Sequence, residues 1–393
     1  MTNILQGEVT YTETELQTLR SRPQSVRRMK QVVVIQTSLT HYRIPFFQGL
    51  RETLLQQGIN LRLLYGRSGR IEQSNPALPW AETFQRLPRI GKLVCHPVIR
   101  PLFDADLIIV EDATKHVTNY LAFLIKQFGS CRLALWGHGK NRQAERTDTF
   151  REHIKGWIGK RCDWYFAYTA AVKNELIARG YDGRRITNVQ NAIAGPTELP
   201  DKSANEALRR SLSISSDSVV ANYCGRMYPI KQIGLLIEAA ELVSKRLPTF
   251  RLVLGGSGVD QSIAANAARR HKFVDYLGPI FGSSKSALFG ISHLTVMPGA
   301  LGLGILDSFH YGLPPVVVRN RSHGPEIEYL QENVNGLLVN ATAEGLAEGI
   351  CRLANDAQLY SRLKQGCMAS ANQLTIANMV ERFAGGVTDA LEF

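Results

Sequence analysis

The stretch Met297–Val317 reads MPGALGLGILDSFHYGLPPVV and is the part of the sequence that decides the fold. Three glycines interrupt its apolar run, namely Gly299, Gly302 and Gly304. The residues from Asp307 to Gly312 predict a short helix, and the LPPVVV at its end is typical of a buried strand. Because glycine lets a backbone approach a ligand and a helix start offers unpaired N–H groups, this junction suits a nucleotide or a sugar. Tight turns beneath a core helix would require the same glycines.

The length and composition are those of an ordinary folded protein with two domains. At 393 residues the chain exceeds what one hydrophobic core supports, and 44% of its residues are apolar and 20% charged. No apolar stretch reaches the roughly 18 residues that a membrane helix needs, and no secretory signal is expected in the first thirty residues. Six cysteines without CxxC spacing favour reduced thiols over disulfides or a zinc site. We therefore expect a cytoplasmic protein.

Much of the net charge of +12 comes from two stretches of the sequence. Five cations and no acid lie between Arg20 and Lys30, and a second basic stretch runs from Lys140 to Arg161. Trp157 and Ile158 lie inside the second stretch, which predicts an amphipathic helix that touches an anionic membrane. A solvated basic face would have the same composition. No recognised nucleic-acid-binding module is present, and we expect no nucleic acid partner.

From residue 31 onward, short apolar strands alternate with longer amphipathic stretches. The predicted strands are Val32–Gln36, Leu61–Tyr65, Asp106–Val110, Arg132–Trp136, Tyr165–Tyr168, Val219–Cys224, Leu252–Leu254, Val274–Leu277, Leu294–Met297, Pro315–Val318 and Leu337–Val339. Such alternation predicts parallel sheets with crossover helices. We predict a flexible basic arm at residues 1–30, a first domain at 31–195, a Pro-containing linker at 195–204 and a second domain at 205–374. Two doubly wound domains that face a cleft are the simplest arrangement, with ligands at the carboxyl ends of the strands.

Cations and glycines follow several of these strands. Gly225 permits a turn after the first strand of the second domain, and Arg226 and Lys231 place two positive charges beside it. A diphosphate needs such neutralisation, particularly when it leaves without a metal ion, although surface loops are often rich in Lys and Arg. Gly256 and Gly278 follow the next two strands.

His138 lies between two glycines after a strand of the first domain. Such a side chain can reach into a cleft and donate a hydrogen bond, although a lone His is more often structural. The sequence contains no Walker loop, no GxGxxG, no HExxH and no paired-Cys metal spacing, so hydrolase and metalloenzyme functions have weak support.

The order of these segments along the chain resembles the retaining, nucleotide-sugar-dependent glycosyltransferases of family 4, of the group 1 type, which have the GT-B fold. Gly225-Arg226-Met227 followed by Pro229 and Lys231 is similar to that family's GRxxxxKG segment, with Gln232 in place of its last glycine. The stretches Leu252–Gly258, Pro298–Val317, His323–Glu326 and Asn335–Val339 resemble the segments that follow. In the first domain, residues 41–47 (HYRIPFF) resemble the first loop and helix of one branch.

The resemblance implies a GT-B fold in which two Rossmann-like domains face a cleft and a helix within residues 375–393 crosses back to the first domain. It implies that Arg226 and Lys231 stabilise the departing diphosphate, that Asp307 holds the nucleotide ribose, and that His138 lies near the donor sugar. The remaining donor-binding residues that it implies are Gly225, Gly256, Gly278, Pro298, Gly299, Leu301, Gly302 and Leu303. No metal site and no cofactor are implied, because the nucleotide diphosphate sugar is a substrate.

The chain departs from the family pattern at Gly299. Most members carry a Glu eight residues before the acid that corresponds to Asp307, and this chain resembles a branch with PGxxGL that lacks the first acid. We expect a retaining transferase that acts on a hydroxyl of a glycan or lipid-linked acceptor in cell-surface polysaccharide or glycolipid synthesis, peripherally at the inner membrane surface. A catalytically weak or inactive partner subunit that binds nucleotide sugar or glycan, and a GT-B-like sugar-nucleotide epimerase, remain the alternatives.

Overall fold

Two parallel sheets organise the chain into two lobes. The computed structural model describes residues 28–66, 78–84, 99–113, 116–129, 131–139, 156–196 and 200–393. The first sheet has seven strands in the order β3-β2-β1-β4-β5-β6-β7, and the second has six in the order β10-β9-β8-β11-β12-β13. Strands that are adjacent in a sheet are not always consecutive in the sequence, so helices cross over between them. These crossover helices cover both faces of each sheet, as in doubly wound folds.

The strands of the first sheet are β1 (Lys30–Gln36), β2 (Ile59–Gly66), β3 (Glu82–Phe84), β4 (Leu107–Glu111), β5 (Arg132–Gly137), β6 (Trp164–Ala167) and β7 (Ile186–Asn188). Its central strands are almost continuous apolar runs, since both of their faces are buried. The helices described in this lobe are α1 (Ile44–Gln56), α2 (Ile99–Phe103), α3 (Val117–Phe128) and α4 (Ala170–Ala178). Pro45 lies in the first turn of α1, where its missing N–H has no cost.

The strands of the second sheet are β8 (Val220–Cys224), β9 (Arg251–Gly255), β10 (Val274–Tyr276), β11 (Leu294–Met297), β12 (Pro315–Val318) and β13 (Leu337–Val339). The helices that follow β7 in the chain are α5 (Lys202–Ser211), α6 (Ile233–Arg246), α7 (Gln261–Arg270), α8 (Gly282–Ile291), α9 (Gly304–His310), α10 (Ala343–Asn355), α11 (Ala357–Gln373) and α12 (Ile376–Glu392). Each loop that follows a strand of this sheet therefore opens at the same edge, which is where the candidate site lies.

The last helix, α12, crosses from the second lobe to the first. Its Phe383 stacks on Phe166 of β6, with ring centroids 4.1 Å apart, and meets Phe46 of α1 edge-on at 5.3 Å. These rings are fully buried in the core beneath the first sheet. The predicted α/β, GT-B architecture with its returning helix is confirmed.

Some details of the sequence prediction need correction. Strands β3 and β7 were not predicted, because each has a single apolar residue, unlike β13, which is equally short but wholly apolar. Residues 202–204 of the predicted linker form the first turn of α5, which Asp201 caps by accepting a hydrogen bond from the Ala204 N–H at 3.1 Å. Lys30, predicted to end the flexible arm, begins β1 and pairs with Asp106 at 3.1 Å. The rest of the arm up to residue 27, and residues 140–155 of the basic stretch, lie outside the described residues.

Candidate functional site

The carboxyl edge of the second sheet brings together the glycine turns that the sequence singled out. The N–H of Gly225 donates to the Gly255 carbonyl at 3.0 Å, and the N–H of Gly256 donates to the Gly278 carbonyl at 2.7 Å. Gly256 has a φ of +137°, and a β-carbon built on it would overlap the Gly225 carbonyl oxygen. No other residue type fits there without moving the backbone. Three loops thus form one layer of backbone at the mouth of the cleft.

The loop of residues 298–304 rests directly on the short 3-10 helix Pro229–Lys231. The N–H of Ala300 donates to the Ile230 carbonyl at 2.9 Å, and the Lys231 ammonium donates to the Ala300 carbonyl. A β-carbon on Gly299 would overlap the Ile230 carbonyl oxygen and lie 2.8 Å from the Lys231 Cα. The glycine at the position of the family's first acid is therefore required by close backbone packing in this structure.

The same loop offers free N–H groups at its far end. The Leu301 side chain is buried in the core, and its backbone N–H and carbonyl are bonded to His323 and Gly324. In contrast, the N–H groups of Gly302 and Leu303 donate to no other residue of the described ranges, and a β-carbon on Gly302 would meet open space. Of the predicted donor residues in this loop, Gly302 and Leu303 thus keep backbone donors available at the start of α9.

His323 fixes the shape of this loop, and the sequence analysis did not single it out as a site residue. Its Nδ1 accepts a hydrogen bond from the Leu301 N–H at 2.9 Å, and its Nε2 lies 2.7 Å from the Val318 carbonyl. These partners assign a neutral ring with its proton on Nε2. Burial lowers the pKa of His323, which keeps the ring in that form. Only its place after β12, next to a glycine, could have indicated the role.

Asp307, the predicted ribose ligand, lies in the first turn of α9 and pairs with a lysine that the sequence analysis missed. Its Oδ1 is 2.6 Å from the Lys285 ammonium, and both side chains are partly buried. Burial alone would lower the pKa of Lys285, but the Asp307 carboxylate raises it above its usual value. Lys285 is on α8, so no local sequence pattern links it to Asp307.

The two predicted cations occupy different positions in the site. Arg226 is exposed and donates from Nη1 to the Tyr228 hydroxyl at 3.1 Å, whereas Lys231 is partly buried against the 298–304 loop. Burial lowers the pKa of Lys231, an effect that the Glu326 carboxylate opposes. The structure therefore places one exposed and one partly buried positive charge near the glycine layer.

The first lobe faces this site with His41 and His138. His41 meets Phe281 of the second lobe edge-on, with ring centroids 6.2 Å apart. Burial, Lys285 and Arg226 lower the pKa of His41, while Asp307 raises it, so all three charges lie around this ring. His138, the predicted residue, is exposed and packs edge-on against Tyr168 of its own lobe at 6.0 Å. Of these two histidines, His41 contacts the second lobe through Phe281, and the contact described for His138 is within its own lobe.

The 3-10 helix Pro325–Tyr329 joins the two lobes beside the cleft. Its Glu328 accepts hydrogen bonds from the Ala170 and Ala171 N–H groups at 3.0 and 2.6 Å, at the start of α4. Its Glu326 accepts one from the Asn191 side chain at 2.7 Å. A carboxylate at a helix N-terminus is favoured by the helix dipole, so these contacts stabilise the present closure of the lobes.

Comparisons with known proteins agree with this geometry. Residues 218–356 match the family model described as "Glycosyl transferases group 1". A curated D-inositol 3-phosphate glycosyltransferase of Salinispora arenicola is 27% identical over 271 residues, which cover 63% of this chain and 57% of that relative. The putative glycosyltransferase EpsD of Bacillus subtilis is 25% identical over 46% of this chain and 48% of its own length. The chain therefore spans about half the length of the curated relatives it matches.

Solved structures share the whole architecture. Anabaena HepE in complex with UDP superposes with a TM-score of 0.71 at 17% identity, covering 92% of this chain and 100% of that one. A putative UDP-N-acetylglucosamine 2-epimerase of Listeria monocytogenes superposes with a TM-score of 0.64 at 13% identity, covering 92% of this chain and 96% of that one. The fold is thus that of GT-B proteins, and the comparisons together support the group 1 glycosyltransferase family. The PGxxGL branch stays a prediction.

Proposed function

We propose that this chain is a retaining glycosyltransferase that moves a sugar from a nucleotide diphosphate sugar to a hydroxyl of a glycan or lipid-linked acceptor. The observation that carries the proposal is the site at the carboxyl edge of the second sheet. There, the N–H groups of Gly302 and Leu303 are free at the start of α9, the Lys231 ammonium donates to the Ala300 carbonyl of the same loop, and Arg226 lies in the loop after β8. Curated relatives are named glycosyltransferases, and solved neighbours hold UDP and UDP-glucose, which supports a nucleotide-sugar donor.

In the proposed mechanism the leaving diphosphate is the group that the protein stabilises. Arg226 and Lys231 neutralise its charge, and the free amides of the 298–304 loop donate hydrogen bonds to it. Asp307 holds the ribose, and His138 lies near the donor sugar. The proposed route uses no carboxylate nucleophile. Instead, the departing phosphate helps to deprotonate the acceptor hydroxyl on the same face of the sugar. A dedicated metal ion is not part of this proposal.

The experiment that tests the donor site is a thermal-shift screen against UDP, GDP, ADP, CMP and dTDP, with and without magnesium. At about 100 times its dissociation constant, a ligand adds roughly 2.7 kcal/mol to the stability of the folded protein. We expect one nucleoside diphosphate to raise the melting temperature without magnesium. If no nucleotide changes the melting temperature of the folded protein, the donor-site proposal is wrong.

Gly299 favours one alternative, a partner subunit that binds nucleotide or glycan without transferring sugar. This alternative predicts a thermal shift with nucleotide but no release of nucleoside diphosphate from any donor and acceptor. The epimerase alternative instead predicts interconversion of donor sugars with no acceptor present. Both outcomes would contradict the transferase proposal, because the shared fold alone does not choose among these activities.

We also propose that the first lobe contacts the cytoplasmic face of an anionic membrane that carries the acceptor. Leu124 and Phe128 lie one turn apart on α3 with 53% and 90% of their surfaces exposed, and Trp157 is 51% exposed. The Arg161 guanidinium stacks on the Trp157 ring at 4.1 Å, so a cation accompanies the apolar group. Aromatic and basic side chains together are typical of peripheral membrane contacts. No helix of the described ranges is long and apolar enough to cross a bilayer.

Sedimentation with liposomes tests this membrane contact. We expect the protein to sediment with vesicles of anionic lipid and to be released as salt rises, because screening weakens the attraction. The double variant Leu124→Ser, Phe128→Ser should lose this binding, whereas Leu55→Ser, which changes a similarly exposed leucine of α1, should not. Equal binding to neutral and anionic vesicles, or unchanged binding of the double variant, would contradict the proposal.

A further inference from the structure

Helices α8 and α9 are joined side by side at the donor site. Besides the pair between Lys285 and Asp307, the Ser286 Oγ and the Tyr311 hydroxyl lie 2.7 Å apart, and the Phe289 and Tyr311 rings stack with centroids 4.6 Å apart. Lys285 therefore projects from a helix that two further contacts, both within the turn after Lys285, fix to Tyr311 at the end of α9. A side chain held in this way is pre-organised for its partner.

The ion pair between Lys285 and Asp307 leaves one oxygen of the Asp307 carboxylate available. Lys285 occupies Oδ1 of Asp307, and within the described ranges Oδ2 has no hydrogen-bond partner. The other charged or titratable groups that face the pair are Arg226, Cys224, His310 and Tyr311 of the same lobe and His41 of the other. None of their side chains makes a hydrogen bond to the Asp307 carboxylate in the described structure. Lys285 alone thus sets which way the carboxylate turns.

We propose that Lys285 is the positioning residue of the donor site, and that it makes the protein selective for ribose over deoxyribose in the nucleotide. By holding Oδ1, it turns Oδ2 of Asp307 to accept a ribose hydroxyl. This inference rests on the proposed donor site and adds to it a residue outside the family-like motifs.

The test measures dissociation constants for UDP, GDP and ADP and for their 2′-deoxy and 3′-deoxy forms. Wild type should bind one ribonucleotide about tenfold more tightly than a deoxy form, the effect of losing a charge-assisted hydrogen bond. Lys285→Met should bring this ratio close to one, Lys285→Arg should retain most of it, and the double variant Lys285→Met, Asp307→Asn should be no worse than Asp307→Asn. Such non-additivity is expected when one residue acts through the other.

Control variants distinguish the loss of this positioning role from a general disturbance of the fold. Lys285→Gln removes the charge and shortens the side chain by one atom, and it provides a second variant if Lys285→Met does not fold. Lys272→Met changes an exposed lysine at the amino edge of the same sheet and should leave the ratio unchanged. A wild-type ratio retained by both Lys285→Met and Lys285→Gln, or a wild type that binds ribo- and deoxynucleotides equally, overturns the inference. If no nucleotide binds to the wild-type protein, the proposal of the donor site itself is wrong.

Discussion

Replacing Gly299 by Glu should weaken nucleotide binding and lower the melting temperature, although it introduces an acid at the position where the family that the sequence resembles carries one. The β-carbon would overlap the Ile230 carbonyl oxygen and lie 2.6 Å from the Lys231 carbonyl carbon. Backbone atoms cannot move aside as a flexible side chain can, and overpacking of this kind costs about 1–3 kcal/mol. The displaced segment carries Lys231, so we expect the donor site to be disturbed together with the fold.

Two further variants make this result interpretable. Gly299→Ala introduces the same overlap of the β-carbon with the Ile230 carbonyl oxygen but no carboxylate. It should therefore show most of the decrease in melting temperature that we expect for Gly299→Glu. Gly304→Ala, five residues later in the same loop, places its methyl group in open space and should leave the melting temperature unchanged. Differential scanning fluorimetry with and without nucleotide measures both effects. A Gly299→Glu variant with full stability and increased sugar transfer would show that the loop rearranges easily and that our account of Gly299 is wrong.

Lys231→Met should reduce the rate of sugar transfer by about 10²–10³, the usual loss when one donor that stabilises a developing negative charge is removed. Methionine keeps the length of the side chain but loses the ammonium, which in this structure donates to the Ala300 carbonyl beside the free amides of the loop. The largest effect should appear in kcat, because the charge on the leaving diphosphate grows as the bond to the sugar breaks.

Steady-state kinetics with a donor found by the nucleotide screen would measure this effect. Lys272→Met is the matched control, since Lys272 is exposed and precedes β10 at the opposite edge of the sheet. A kcat within twofold of wild type for Lys231→Met would remove Lys231 from the mechanism. A change in KM alone would make it a residue for binding the donor rather than for stabilising the transition state.

The sequence was sufficient for the parts of the fold that have a strong periodic pattern. Two parallel sheets were predicted from the apolar runs of β1, β4 and β12 and from the amphipathic pattern of α10. The edge where the site lies was predicted from the glycines after β8 and β9. The short strands β3 and β7 were missed, because each has only one apolar residue and therefore shows no apolar run. The start of α5 was missed because its first turn lies in a polar, proline-containing segment.

The contacts within the site were harder to predict. Lys285 and Asp307 are 22 residues apart and meet only because α8 and α9 pack together. His323 and Leu301 are likewise 22 residues apart. No local spacing rule links such residues, so their pairing depends on tertiary structure. The roles assigned to Arg226, Lys231, His138 and Asp307 come from motif order, and they stay predictions until the variants are measured.

The path of α12 has a consequence for how the protein is made. The ring of Phe383 fills the space among Phe46, Trp136 and Phe166, yet it leaves the ribosome more than 200 residues after the last of them. During synthesis, the apolar groove that Phe383 later fills therefore stays open in the first lobe while the entire second lobe emerges and folds. Chaperone binding to nascent chains should then concentrate on this groove and end when α12 docks, since exposed apolar surface of this size promotes aggregation.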